Sequence, residues 1–200
     1  MDWQQVCLAV DELEHDLQKF SSIHPSLRMQ MLLIVGEDHR LGSHPGVDAI
    51  ALARAIWCTC FRGKRQGGST IAMQLVRTLT GNYQRTLGRK IKEIIFAVRL
   101  TRKVGSEKLP LLYLWCAYYG WRMNTFRTAC RQLQLDPAQM TLHDEAELVA
   151  RLKYPQPRNP SAARRAAIKW RGRHLITLLH SRFSEYRGIT CFKFPKKRKS

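Results

Sequence analysis

Acidic side chains are scarce in this 200-residue chain: 15 Asp and Glu stand against 34 Lys and Arg, a net charge of +19. That exceeds the ~2–8 charges usual for a small soluble domain. It points to an anionic partner: nucleic acid, lipid head groups or a phosphorylated substrate. Long apolar runs are missing as well. Met29 to Val35 is the main one, far short of the ~20 residues that cross a bilayer, and Glu37 and Asp38 follow it directly. Residues 1–20 include Asp2, Asp11, Glu12, Glu14 and Asp16, which is no secretory signal. The six cysteines form no CxxC pair, and the lone Cys58/Cys60 pair has no second pair to complete a metal site. Internal repeats and hairpin signals are also lacking. A hydrophobic content of 44% excludes a disordered chain, and the length suits one domain with a real core.

The patterning is helical. Val6, Val10, Leu13 and Leu17 make one stripe of an amphipathic, acidic helix over residues 3–20. Pro25 suits the first turn of a second helix running to Asp38, with Leu27, Met31, Ile34 and Val35 inward. A helix is expected over 48–58. Another follows from an N-cap at Ser69, and a third covers 87–102 with Leu87, Ile91, Ile94, Ile95 and Val98 buried. Further helices are expected over 109–119, 141–152 and 162–179, the last one basic. The division is an N-terminal amphipathic helix (1–24), a main domain (25–180) and a basic tail (181–200), and the fold class is mostly α.

Three segments carry chemistry. The first, Glu37-Asp38-His39-Arg40-Leu41-Gly42-Ser43-His44-Pro45-Gly46, puts carboxylates at a helix end beside a glycine-bearing loop. Glu37 and His44 do not make a metal site, because nothing completes the ligand set. The second runs from Gln66-Gly67-Gly68-Ser69-Thr70 through Gln74. Here a glycine pair enters a capped helix and lets backbone N–H groups approach an anion. The third, Arg89-Lys90-Ile91-Lys92-Glu93, places two cations four and three residues before a carboxylate, on one helix face. Taken singly, each also reads as an exposed helix end, a plain capped loop and a surface ion pair.

In this order and spacing, the segments resemble the peptidoglycan glycosyltransferases (glycosyltransferase family 51). This is the domain of class A penicillin-binding proteins and of monofunctional transglycosylases. The likeness to that family's E-D-x-x-F-x-x-H-x-G, G-G-S-T-I-x-x-Q-L and R-K-x-K-E motifs is joined by Arg54-Ala55 and by Tyr154-Pro155-Gln156-Pro157-Arg158-Asn159-Pro160, and it runs from about Pro25 to Leu179. The resemblance implies a lysozyme-like helical domain with a membrane-facing lobe, using lipid II as donor and acceptor on the outer face of the bacterial membrane. Glu37 matches the catalytic base and Glu93 the second essential carboxylate. Asp38, His44, Ser69, Thr70, Gln74, Arg89 and Lys90 match positions that shape the substrate cleft. Mg²⁺ is the candidate cofactor. The implied partners are lipid II, the growing glycan strand, the membrane surface and other cell-wall synthesis proteins.

The chemistry is coherent with those residues. A pyrophosphate is already a good leaving group, so the donor needs cations more than a general acid, unlike a glycoside. One carboxylate suffices to take the acceptor's hydroxyl proton. The chain departs from the family at Leu41 (Phe), at Arg77-Thr78 (Lys-Asn), and across the fourth motif, where Ser106, Leu111 and Trp115 replace Lys, Glu and Asn. Arg122 and Thr125 stand at glycine positions. The usual N-terminal membrane helix is not visible, and the aromatic run Trp115, Tyr118, Tyr119 and Trp121 reads equally as a membrane contact or as core. The alternative function is therefore an impaired module that binds lipid II or glycan without extending it. A lysozyme-like hydrolase and a nucleic-acid binder built on Arg164–Arg173 and the tail rank lower, and no specific nucleic acid is expected.

Overall fold

The computed structural model describes residues 2–63, 67–84 and 86–186. The order is α1 (Trp3–Lys19), α2 (Leu27–Glu37), a 3-10 turn (Leu41–Ser43), α3 (Ala49–Arg62), α4 (Ile71–Thr80), α5 (Leu87–Val104), α6 (Leu109–Cys116), α7 (Phe126–Leu133), α8 (Leu142–Lys153) and α9 (Ala162–Tyr186). No named strand forms among the described residues; only isolated bridges join Gly120 to Met123 and to Gln156. The mostly α expectation holds. The tail beyond 186, Gln66 of the second segment and the two basic residues before it, Lys64 and Arg65, lie outside the described residues.

Helix α2 is the hub. Every residue from Met29 to Val35 is buried, all of them apolar except Gln30, so this stretch must be surrounded by protein. Helices α6, α8 and α9 surround it. It starts at Leu27, two residues beyond Pro25, so Pro25 lies before the helix rather than in its first turn. Ser26 is the N-cap, accepting from the Met29 N–H at 3.0 Å, while its hydroxyl donates to Glu145 at 2.6 Å. Pro25 instead contributes a carbonyl that accepts from Gln30 Nε2. At the other end, a β-carbon on Gly36 would collide with Leu175. The glycine therefore lets α9 press onto the last turn of α2, beside Glu37.

The acidic helix α1 docks on the core through Val6, Val10 and Leu17, against α4 and α6. Its acids meet cations across the interface: Asp11 with Lys103 at 2.6 Å and Glu14 with Lys108 at 2.9 Å. Asp16 accepts from the Trp115 indole N–H at 2.9 Å. Trp115, only 1% exposed, packs near Phe20 and Phe126. Trp115 and Tyr119 are thus core residues, while Tyr118 is exposed.

The structure corrects several expectations, among them Leu27, which is 47% exposed rather than inward. Helix α5 is rotated from the expected face: Leu87, Ile91 and Ile95 are 84%, 58% and 48% exposed, and Glu93, Ala97, Leu100 and Val104 are buried. The physical reason lies in charge and close packing. Three cations draw Glu93 inward, and Gly46 lies so close to the Ala97 carbonyl that a β-carbon would not fit. Helix α7 was also unforeseen. Thr125 caps it in a reciprocal pair with Thr128, and Phe126, Ala129 and Cys130 turn inward with helical spacing. Elsewhere Thr70, not Ser69, caps α4, α6 ends at Cys116 and α9 continues to Tyr186.

Trp115→Ala is expected to cost about 3–5 kcal/mol in urea denaturation. Trp115→Phe, which keeps most of the packing and drops the bond to Asp16, should cost about 1 kcal/mol. Equal losses would show that the hydrogen bond, not ring packing, holds α1 in place.

Candidate active site

The first and second segments are tied by one buried knot. Asp38, its side chain 3% exposed, accepts from His44 Nε2 at 2.9 Å and from the Ile71 backbone N–H at 3.0 Å. The second bond satisfies a free N–H in the first turn of α4, where a carboxylate also meets the helix dipole favourably. His44 Nδ1 accepts from the Gly46 N–H, which leaves the proton on Nε2 to be donated to Asp38. Thr70 closes the knot: its hydroxyl donates to the Gly46 carbonyl at 2.6 Å and accepts from the Met73 N–H. Asp38, His44 and Thr70 therefore hold the cleft together rather than line its main space. Asp38 and Thr70 border a small side cavity of about 50 Å³.

The main cleft, about 890 Å³, is lined by Glu37, Ser69, Gln74, Arg77, Tyr83 and Tyr113, among others. Glu37 is held at both oxygens. Arg171 of α9 donates to Oε1 at 3.0 Å and to the Gly36 carbonyl at 2.9 Å, and Gln74 donates to Oε2 at 3.2 Å. The carboxylate is nevertheless 24% exposed toward the space. Tyr113 and Cys116 form part of its wall. Burial raises the Tyr113 phenol above its usual range and pushes the Cys116 thiol up to about 12, so both stay protonated.

Glu93 is the most heavily paired acid among the described residues. Arg77 donates to both of its oxygens, at 3.0 and 3.2 Å. Lys90 donates to Oε1 at 2.7 Å, and Arg89 pairs with Oε2. Lys90 also donates to Ser69 at 3.1 Å, which links the third segment to the second. Burial pushes the Glu93 carboxyl up, but the hydrogen bonds and charges of Arg77 and Lys90 outweigh it and hold the group below the ordinary glutamate range. Burial likewise pushes the Lys90 ammonium down, and Glu93 only partly restores it. With three cations to one carboxylate, the cluster keeps an excess of two positive charges.

Helix α4 places these two centres together. Gln74 and Arg77 are three residues apart and so share a face; one grips Glu37 and the other Glu93. Arg77 stood in the sequence only as a departure from Lys, and Arg171 only as part of a basic helix. Neither pairing has a local signal, because each links segments far apart in the chain. The donor set does not fit Mg²⁺ at Glu93. An ionised carboxylate offers about four lone-pair positions, and four N–H bonds already occupy them. No group of three or more His, Cys, Asp and Glu gathers among the described residues. Cys58 is buried, and the side chain of Cys60 lies outside the described residues.

The cleft thus sets a half-buried carboxylate beside Arg77, which joins it to the neighbouring cation cluster around Glu93. The transglycosylase family matches residues 4–179, and the chain belongs to that family of peptidoglycan glycosyltransferases. It is 34% identical over 134 residues to penicillin-binding protein 1A of Escherichia coli (strain K12), covering 66% of this chain and 16% of that protein. It is 35% identical over 129 residues to penicillin-binding protein 1A of Aquifex aeolicus, covering 64% and 18%. It is 30% identical over 122 residues to the monofunctional glycosyltransferase of Staphylococcus saprophyticus, covering 60% and 45%. The chain thus matches less than half the length of each of these relatives.

Because the folded state depresses the Glu93 pKa, its ion cluster stabilises fully above the ordinary value of 4.5 and is lost as pH falls through the folded-state value. Urea midpoints should therefore fall on acidification from about pH 5 to pH 3. Glu93→Gln should lower the midpoint at neutral pH and flatten that acid limb. An unchanged limb in the variant would assign the acid loss to other carboxylates.

Proposed function

We propose that this chain polymerises lipid II into β-1,4-linked glycan, releasing the lipid pyrophosphate. The observation that carries the proposal is the pairing of an open carboxylate, Glu37, with the cation cluster around Glu93, both referenced to one face of α4. Glu37 takes the proton from the acceptor's 4-hydroxyl as that oxygen attacks the donor's anomeric carbon. The bond to the pyrophosphate breaks with inversion, and the leaving group carries its charge away. Arg171 and Gln74 fix the orientation of Glu37 so that little reorganisation is needed. Arg77, Arg89 and Lys90 meet the charge that develops on the pyrophosphate. The buried Nε–H of Arg89 has no hydrogen-bond partner among the described residues. Glu93 holds the three cations in register. No step runs through a metal.

Membrane contact fits two apolar stripes. Ile50, Trp57 and Phe61 are 61%, 57% and 71% exposed on α3, with the two rings 4.3 Å apart, and Leu87, Ile91 and Ile95 are exposed on α5. No helix among the described residues is long and apolar enough to cross a bilayer. The stripes and the basic surface support peripheral contact with an anionic membrane. The outer face is where lipid II polymerisation belongs by family, with other cell-wall synthesis proteins as neighbours. The second reading, a module that binds lipid II without extending it, is favoured by Leu111 and Trp115 in place of the fourth motif's Glu and Asn.

Incubation with labelled lipid II should give a glycan ladder on a gel. Glu37→Gln should reduce its rate by about 100-fold or more with unchanged thermal melting. Wild-type elongation by that variant would remove Glu37 as the base; binding without any ladder from the parent protein would establish the second reading. Chelation with EDTA should leave the rate within about twofold, and a deep loss restored by Mg²⁺ would put a metal in the cleft.

A further inference from the structure

Close in the chain to residues that line the cleft stands a pair of guanidinium groups that the transfer chemistry does not use. Tyr118 and Asn124 line the cleft, as do Lys153 and Pro155. Trp121 and Arg122 lie between the first two, and Arg158 follows the last by three residues. Both arginines are exposed, and both stack on the Trp121 indole, with guanidinium carbons 4.5 Å (Arg122) and 5.2 Å (Arg158) from the ring centre. Neither forms an ion pair with a carboxylate among the described residues, although the chain pairs several of its other cations.

The backbone beneath them is rigid. Trp121 N–H donates to the Gln156 carbonyl at 2.8 Å, Gln156 N–H donates to the Tyr119 carbonyl at 3.0 Å, and Tyr119 N–H donates to the Met123 carbonyl at 2.8 Å. Arg151 anchors the Gln156 side chain at 3.1 Å. Arg122 also adopts a left-handed φ of +58°, a conformation unfavourable for any residue with a β-carbon and natural for glycine. Arginine at such a position retains a strained backbone where glycine would be relaxed. Strain of this kind is a pointer to binding. A guanidinium held on an aromatic face keeps its N–H edge free for a planar oxyanion.

We infer that Arg122 and Arg158 bind carboxylates on the peptide branch of the substrate and so make this chain selective for substrates with an acidic peptide. The inference rests on the proposed use of lipid II, whose sugar bears a short peptide with free carboxylates. Two planar forks on a preorganised backbone match two carboxylates better than a diffuse lipid surface, which would ask for mobile lysines rather than stacked arginines.

The test is binding of a soluble disaccharide peptide, with its carboxylates free or fully amidated, followed by titration calorimetry on the full chain. Variants are Arg122→Gly, which relieves the backbone and so folds at least as well, and Arg158→Ala. The free acid should bind the parent protein about tenfold more tightly than the amide. Each variant should lose most of that preference while binding the amide as the parent does, and Arg158→Lys should restore little of it. Equal affinity of the parent for both ligands overturns the inference. So does a loss in the variants that is the same for acid and amide, or a loss that appears only as weaker binding to vesicles of anionic lipid. Failure of the parent to extend lipid II would count against the proposed polymerisation alone, since the calorimetry reads the arginine pair without turnover.

Discussion

Asp38 commits both carboxylate oxygens inside the protein, one to His44 and one to the first N–H of α4. The remaining site geometry follows from those two bonds. They fix the end of α2 against the start of α4, so Glu37 emerges beside Gln74. They also set the axial position of α4, and with it the height at which Arg77 reaches Glu93. Thr70 reinforces the junction through Gly46, which in turn approaches α5 too closely for any side chain. Three helices that share no local sequence are thereby held in one register.

Charge balance explains the other half of the site. A buried carboxylate is costly unless paired and hydrogen-bonded. Glu93 meets that demand with three cations, and the surplus of positive charge would suit the pyrophosphate of the proposed donor. The same saturation leaves no lone pair for a metal. Arg77 matters here beyond its charge, because its planar fork fills one position on each oxygen where a lysine would offer a point charge.

The segments that depart most from the family acquire structural roles. Trp115, in place of an Asn, anchors the acidic helix α1 through Asp16 and packs near Phe126. Thr125, in place of a Gly, caps α7. Arg122, also in place of a Gly, keeps the left-handed backbone that glycine would have favoured and adds a cation stacked on Trp121.

The helical class, most element positions and both principal carboxylates were legible in the sequence, because apolar spacing and short motifs are local signals. The orientation of α5 was not. Leu87, Ile91 and Ile95 form the more apolar stripe, and periodicity alone turned it inward; the ion cluster around Glu93 and the close approach at Gly46 turned it outward. Asp38, His44 and Thr70 were visible as motif residues, but their work as a buried knot depends on contacts across 24 and 33 positions of chain. Arg171 reaches Glu37 across 134 positions, a separation that no motif spans. Sequence determined which groups are present and which local helices carry them. Tertiary packing decided which acid stays open to the cleft and which is neutralised, since only the folded arrangement sets the number of cations within reach of each carboxylate.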